Sequence, residues 1–158
     1  MKKKVLPVIV AILLILVIGG CALGKVLLDK YSYSKEEADW NEFYQVSEND
    51  RSAIILQNEM VEEQALIKDG VCYFDLATVH KYMNEVFYAD MTENLLLYAT
   101  PTEVIRTTFG ETAYTTTEGT QEAGYVISFA DGDNVYVAAD YVKLFTNYSY
   151  ECYDRHVQ

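Results

Sequence analysis

The chain has 158 residues, half of them apolar, with 24 acidic against 12 basic side chains and a formal charge of −12. Beyond residue 30 the imbalance steepens to 23 acids against 7 bases, which excludes nucleic acid or an anionic surface as a partner of that part. Fourteen Tyr, six Phe and many Val, Ile and Leu supply a core, so disorder is excluded as well.

The first 30 residues predict a cytoplasmic basic tip and a membrane anchor. Lys2, Lys3 and Lys4 precede an uncharged apolar run from Val5 to Gly24. About 20 residues at about 1.5 Å each span about 30 Å, the thickness of a bilayer core. The lysine excess at the start orients the N-terminus to the cytoplasm. The expectation is a single-pass transmembrane helix with the lipid bilayer as partner of residues 5–24 and the following domain extracellular. Two other readings use the same residues: a cleaved secretory signal, and a lipoprotein in which Ile18-Gly19-Gly20-Cys21 resembles a lipobox and Cys21 carries the lipid. Residues 31–50 form a juxtamembrane segment. A short helix starting at Ser34 puts Trp40, Phe43 and Tyr44 on one face, which either anchors at a membrane interface or, as we prefer, packs on the domain.

Residues 51–158 contain an internal repeat. Val71 to Asp90 can be laid over Val135 to Asp154, so that at an offset of 63 Tyr73 meets Tyr136, Val79 meets Val142, Tyr82 meets Phe145 and Asn84 meets Asn147. A turn signal precedes each copy, Lys68-Asp69-Gly70 and Asp131 to Asn134. Each copy reads as a strand, a helix of about nine residues and an aromatic strand. Asp75 is the N-cap of the first helix, Leu76, Val79 and Tyr82 or Met83 its buried stripe, and Asn84 and Asn147 suit left-handed helix ends. Ser52 to Gln57, Val61 to Lys68, Glu93 to Thr100 and Gly124 to Ala130 complete the strands, while Thr107 to Gln121 reads as an inter-repeat loop, with a ragged edge strand in it as the alternative. The expected fold class is therefore α+β: two tandem β-hairpin/helix/β-hairpin repeats packed together behind the transmembrane helix. The first unit covers about 54–100 and the second about 124–158. The strand expected after the second copy is missing, as in a fragment of a longer chain.

This doubled unit resembles the copper amine oxidase N-terminal-like, or stalk, domain of Gram-positive surface proteins. The residues concerned are Asp69 to Phe74 with the helix Leu76 to Asn84, and Asn134 to Ala138 with Asp140 to Asn147. Asp75 and Ala138 stand where that family often has Pro. The resemblance implies fold and placement, not a copper site. Glu36 to Asp39, Asp75 to Tyr82 and Glu93 to Thr102 also look like the start of clostridial surface proteins in which a family 18 glycoside hydrolase barrel follows. That likeness implies a parent enzyme acting on β-1,4-linked N-acetylhexosamine polymers. The acidic barrel motif of those enzymes is absent here.

No catalytic residue, cofactor or metal is expected. His80 lies on a helix surface without neighbours at ligand spacing, and His156 is close to the chain end. Asp131 to Asn134 suits a hairpin turn better than a calcium loop, because the later ligands are missing. Glu62 and Glu63, adjacent on a strand, point to opposite faces. Cys72 and Cys152 are either buried free thiols or a disulfide pair. Tyr136, Tyr141, Tyr148 and Tyr150, with Tyr73, Tyr82, Tyr88 and Tyr153, either line a glycan-stacking face or fill the core. The expected function is a non-catalytic, membrane-tethered extracellular stalk that touches cell-wall polysaccharide and precedes a hydrolase. The alternative is a stand-alone surface lipoprotein that binds a small ligand or glycan.

Overall fold

The structure, a computed structural model, describes residues 19–32, 39–46 and 48–158. Two compact units divide the chain, Met1–Ala38 and Asp39–Gln158. In the first unit residues 19–31 are helical (α1) and Cys21 is exposed on that helix. Most of the run expected to span a bilayer, residues 5–18, lies outside the described residues. Among the described residues no helix is long and apolar enough to cross a membrane. The described helical residues 19–31 carry Lys25, Asp29 and Lys30. The expected transmembrane signal-anchor and the single-pass, cytoplasm-to-exterior placement are corrected accordingly.

The second unit is mostly β rather than the expected tandem of helix-and-hairpin repeats. After a short helix α2 (Trp40–Phe43) come β1 (Arg51–Leu56), β2 (Glu59–Lys68) and β3 (Val71–Asp75), then α3 (Leu76–Tyr82). Strands β4 (Phe87–Asp90), β5 (Leu95–Ala99), β6 (Val104–Thr108), β7 (Ala113–Thr116) and β8 (Gly119–Glu122) follow. The chain then forms β9 (Ser128–Asp131), β10 (Asn134–Ala138), α4 (Ala139–Lys143) and β11 (His156–Val157). A six-stranded sheet has the order β11-β1-β2-β3-β10-β9 and a five-stranded sheet the order β4-β5-β6-β7-β8.

Turn chemistry explains the hairpins of the first sheet. Asp69 (φ 52°) and Gly70 (φ 79°) form a two-residue connection between Lys68 and Val71, with both central residues left-handed as a type I′ turn requires. Gly132 (φ 59°) begins the corresponding turn between Asp131 and Asn134. These two hairpins meet along β3 and β10, antiparallel, with Val137 opposite Phe74 and Ala138 opposite Tyr73. Each central strand runs straight into a helix, α3 or α4. Asp75 caps α3 by accepting from the Ala77 amide at 3.0 Å. Ala138 at the equivalent place offers no side-chain cap, and α4 is two residues shorter, in keeping with the worth of such caps.

Three departures from the predicted elements have physical causes. Thr107 to Gln121, expected as a loop, supplies the end of β6 and all of β7 and most of β8. Its β-branched threonines suit a pleated surface, and Ile105 and Thr107 alternate inward along β6. The aromatic strand expected directly after α4 does not form, and β11 instead adds to β1 in parallel, with Ile54 opposite Val157. Asn84 is not left-handed; its amide is used as a bridge. Its Nδ2 donates to the Phe145 carbonyl at 3.1 Å and its Oδ1 accepts from the Val86 amide at 2.9 Å.

One core joins both sheets. On the second sheet Phe87, Tyr98 and Ile105 stand opposite one another across three strands, as do Ala89, Leu96 and Thr107. This inner face meets the α4 region: Phe145 stacks on Tyr98 at 4.4 Å, and Tyr141 lies 5.3 Å from Tyr114. Val142 and Ala139 turn instead to Ile54 and Phe74 of the first sheet, around a small apolar cavity of about 40 Å³. Val79 and Val137 are fully enclosed in the same cluster.

Candidate functional site

The tyrosines singled out from sequence divide between core and surface. Tyr136 (5 % exposed) stacks on Phe129 at 5.3 Å, and its hydroxyl accepts from Arg51 Nη2 at 3.3 Å. Tyr141 (1 % exposed) fills the space between the sheets, and burial pushes its hydroxyl pKa well above the ordinary value. Neither belongs to a surface face: Tyr136 and Tyr141 take the core-filling alternative, apart from Tyr148 and Tyr150. The reason is that β10 is flanked by strands on both sides and α4 is covered by the second sheet. Tyr148 is exposed. Tyr150 is half-buried against Phe74, and burial first, with the Asp140 carboxylate next, pushes its hydroxyl pKa well above the ordinary value. Tyr73 donates to the Val126 carbonyl and Tyr82 to Glu63, so both are committed to the scaffold.

The histidines and acids also resolve. His80 Nε2 lies 2.5 Å from the Phe87 carbonyl, a contact that links α3 to β4. Glu63 receives Lys81 Nζ at 2.7 Å and the Tyr82 hydroxyl at 2.9 Å, and it faces no second carboxylate in that set. Among the described residues no group of three or more His, Cys, Asp or Glu side chains is arranged to hold a metal ion. Asp131 to Asn134 is the hairpin turn described above.

The surface feature with the chemistry of a binding site lies elsewhere. Trp40, Tyr44, His156 and Tyr153 form a run of stacked rings. Trp40 stacks on Tyr44 with centroids 6.0 Å apart, Tyr44 on His156 at 4.7 Å, and Tyr153 on His156 at 4.5 Å, with interplanar angles of 22°, 26° and 13°. The outer rings stay open to solvent, Trp40 at 55 % and Tyr153 at 49 %. Asp154 and Arg155 complete a cleft of about 260 Å³ with these four rings, near the lower end of ligand sites at ~300 Å³.

Local structure holds the run in place. Asp39 caps α2 by accepting from the Asn41 amide at 2.9 Å, which presents Trp40 and Tyr44 one turn apart. The Tyr153 amide donates to the His156 carbonyl at 2.8 Å, closing a tight turn that sets those two rings face to face. Arg155 Nη1 donates to the Asn49 carbonyl at 3.4 Å and ties the turn to the segment before β1. The expectation that Trp40, Phe43 and Tyr44 pack on the domain holds only for Tyr44; Phe43 remains exposed. His156 carries no expected role in the sequence reading, and its pairing with Tyr44 across more than a hundred residues left no local signal.

Exposed flat rings beside hydrogen-bonding groups suit a ligand with alternating apolar and polar faces. A pyranose ring is such a ligand, since its axial C–H groups lie against the electron-rich face of an indole or phenol while its hydroxyls reach Arg and Asp at the rim. Comparison with known proteins finds no matching family model, no matching curated protein and no matching solved structure. Fold and surface alone therefore define the class: a two-sheet β protein with an aromatic-lined cleft.

Proposed function

We propose that this chain is a non-catalytic spacer module that contacts wall-type polysaccharide, a β-1,4-linked N-acetylhexosamine polymer, through the cleft between Trp40 and Tyr153. It would serve as the accessory start of a larger glycoside hydrolase of the family 18 kind. The observation that carries this reading is the four-ring run with solvent-open faces at both ends. Two further points support it. The strongly acidic domain repels polyanions but not a neutral sugar polymer. The likeness of the doubled strand–helix unit to stalk domains points in the same direction.

Trp40 is the only tryptophan of the chain, so its fluorescence reports directly on the cleft. Titration with chitohexaose is expected to give a saturable change, and the chain should be retained on insoluble chitin. Tyr153→Ala should weaken both by about tenfold without lowering the melting temperature, the loss of roughly one stacking contact. No response at millimolar sugar together with no retention on chitin or peptidoglycan would remove the polysaccharide reading. Release of shorter oligosaccharides by this polypeptide would remove the non-catalytic part.

A further inference from the structure

The small cavity between α4 and the first sheet holds an unpaired polar group. Ile54, Leu56, Phe74, Met83 and Val142 give it apolar walls, and Thr146 stands among them. The Thr146 Oγ1 is buried and has no hydrogen-bond partner among the described residues. Lys143 lines the same cavity, its Nζ 5.7 Å from the centroid of the Tyr150 ring. Asp140 precedes Lys143 by three residues but is not paired with it, and among the described residues this ammonium joins no ion pair. A second, open space of about 430 Å³ adjoins the cavity. The two share Ile55, Leu56, Tyr148 and Ser149, and the outer one continues past Val61 and Tyr82 to Glu59. Residues 147–150 form the strap beside both spaces. Among the described residues they make no backbone–backbone hydrogen bond, so little holds the strap down.

We propose that these joined spaces bind a straight-chain alkyl carboxylate, its head on Lys143 and Thr146 and its chain running beside Tyr148 into the outer space. The two unpaired groups are an ammonium and a hydroxyl, both donors, and an anionic acceptor satisfies them together. The apolar walls take the chain. Volume sets the arrangement. At about 40 Å³ the cavity is well below the ~150 Å³ that holds a benzene ring, so it takes only a few carbons. The rest of the chain lies in the outer space, whose size falls among ligand sites of ~300–1,000 Å³. Glu59 at the far rim repels a carboxylate, which keeps the head at the Lys143 end. The acidic surface of the domain opposes an anion at long range, but salt screens that field beyond ~8 Å while leaving the contact with Lys143.

The test is calorimetric titration of the full chain with butanoate, hexanoate and octanoate at ~0.15 M salt, below micelle-forming concentrations. Octanol and octyltrimethylammonium are the comparison probes. Octanoate is expected to bind saturably, and affinity should rise about fourfold for each added methylene. Both comparison probes should bind at least about tenfold more weakly, since neither offers an anionic acceptor. Lys143→Gln should remove the preference for octanoate over octanol. Thr146→Val should weaken octanoate while leaving the melting temperature unchanged or higher, because it deletes an unpaired buried hydroxyl. Methyl signals of Val142 and Val157 should shift with octanoate, and the fluorescence of Trp40 should not. Absence of saturable heat with any probe, or binding only once micelles form, would overturn the proposal. So would equal affinity for octanoate and octyltrimethylammonium, an unchanged Lys143→Gln, or shifts confined to the Trp40 cleft.

Discussion

At the scale of single residues, tyrosine decides most of what is distinctive here, and its two ends behave differently. Tyr141 buries its ring between α4 and the second sheet, in contact with Phe87, Tyr114 and Phe145. Its hydroxyl has no hydrogen-bond partner among the described residues, and an unpaired buried hydroxyl costs about 1–3 kcal/mol. Tyr141→Phe is therefore expected to leave stability unchanged or raise it by about 1 kcal/mol, measured by urea denaturation. A loss of similar size would show that the hydroxyl is satisfied in solution. Tyr125 is affected by burial in the same way, its hydroxyl being pushed up to about 12. Ring count and spacing in the sequence do not separate such core rings from Tyr153, whose hydroxyl donates to Glu151 at 2.6 Å at the surface.

At the scale of elements, the hairpins were legible and the sheet they build was not. Asp69-Gly70 and Gly132 announce their turns because left-handed φ has a strong local preference for these residue types. Asp75 announces α3 for an equally local reason. The pairing of β3 with β10 depends instead on two hairpins meeting across some sixty residues, and no local preference encodes it. The ion pair between β2 and α3 is a further element-level contact. Lys81 lies against Glu63 and, as the leading cause, holds the carboxyl below the usual carboxylate range. A lowered carboxyl contributes stability that is present above the unfolded value of about 4.3 and is lost as pH falls through the folded one. Glu63→Gln should thus be less stable than the parent at pH 7, with the gap closing toward pH 3 and shrinking in high salt, since both side chains are partly exposed. Chemical denaturation across that pH range checks it, and a gap independent of pH would exclude the ion pair as its source.

At the scale of the whole molecule, the second sheet is attached through aromatic rings around α4 rather than through strand pairing. Phe87 (1 % exposed) is central, touching Tyr98, Tyr141 and Phe145. Phe87→Ala should cost about 3–5 kcal/mol, the range for a buried Phe. Because one core serves both sheets, amide protection in β5 and in β10 should fall together in hydrogen exchange. Loss confined to the second sheet would mean that the two sheets unfold independently. Pairing of β11 with β1 brings Tyr153 and His156 back to Trp40 and Tyr44, so the ring run is assembled from opposite ends of the domain.

Residue order alone determined where the chain turns, which stretches are extended, how α3 begins, and that residues 71–84 and 134–147 share a pattern. These features rest on φ preferences, caps and two-residue alternation, all set within a few positions. Only the tertiary structure decided that a threonine-rich stretch becomes sheet, that Tyr136 and Tyr141 are interior, and that four distant rings form one open run. Those outcomes depend on which faces meet once loops of tens of residues have closed, and the burial of apolar area that rewards such closure is summed over the assembled core.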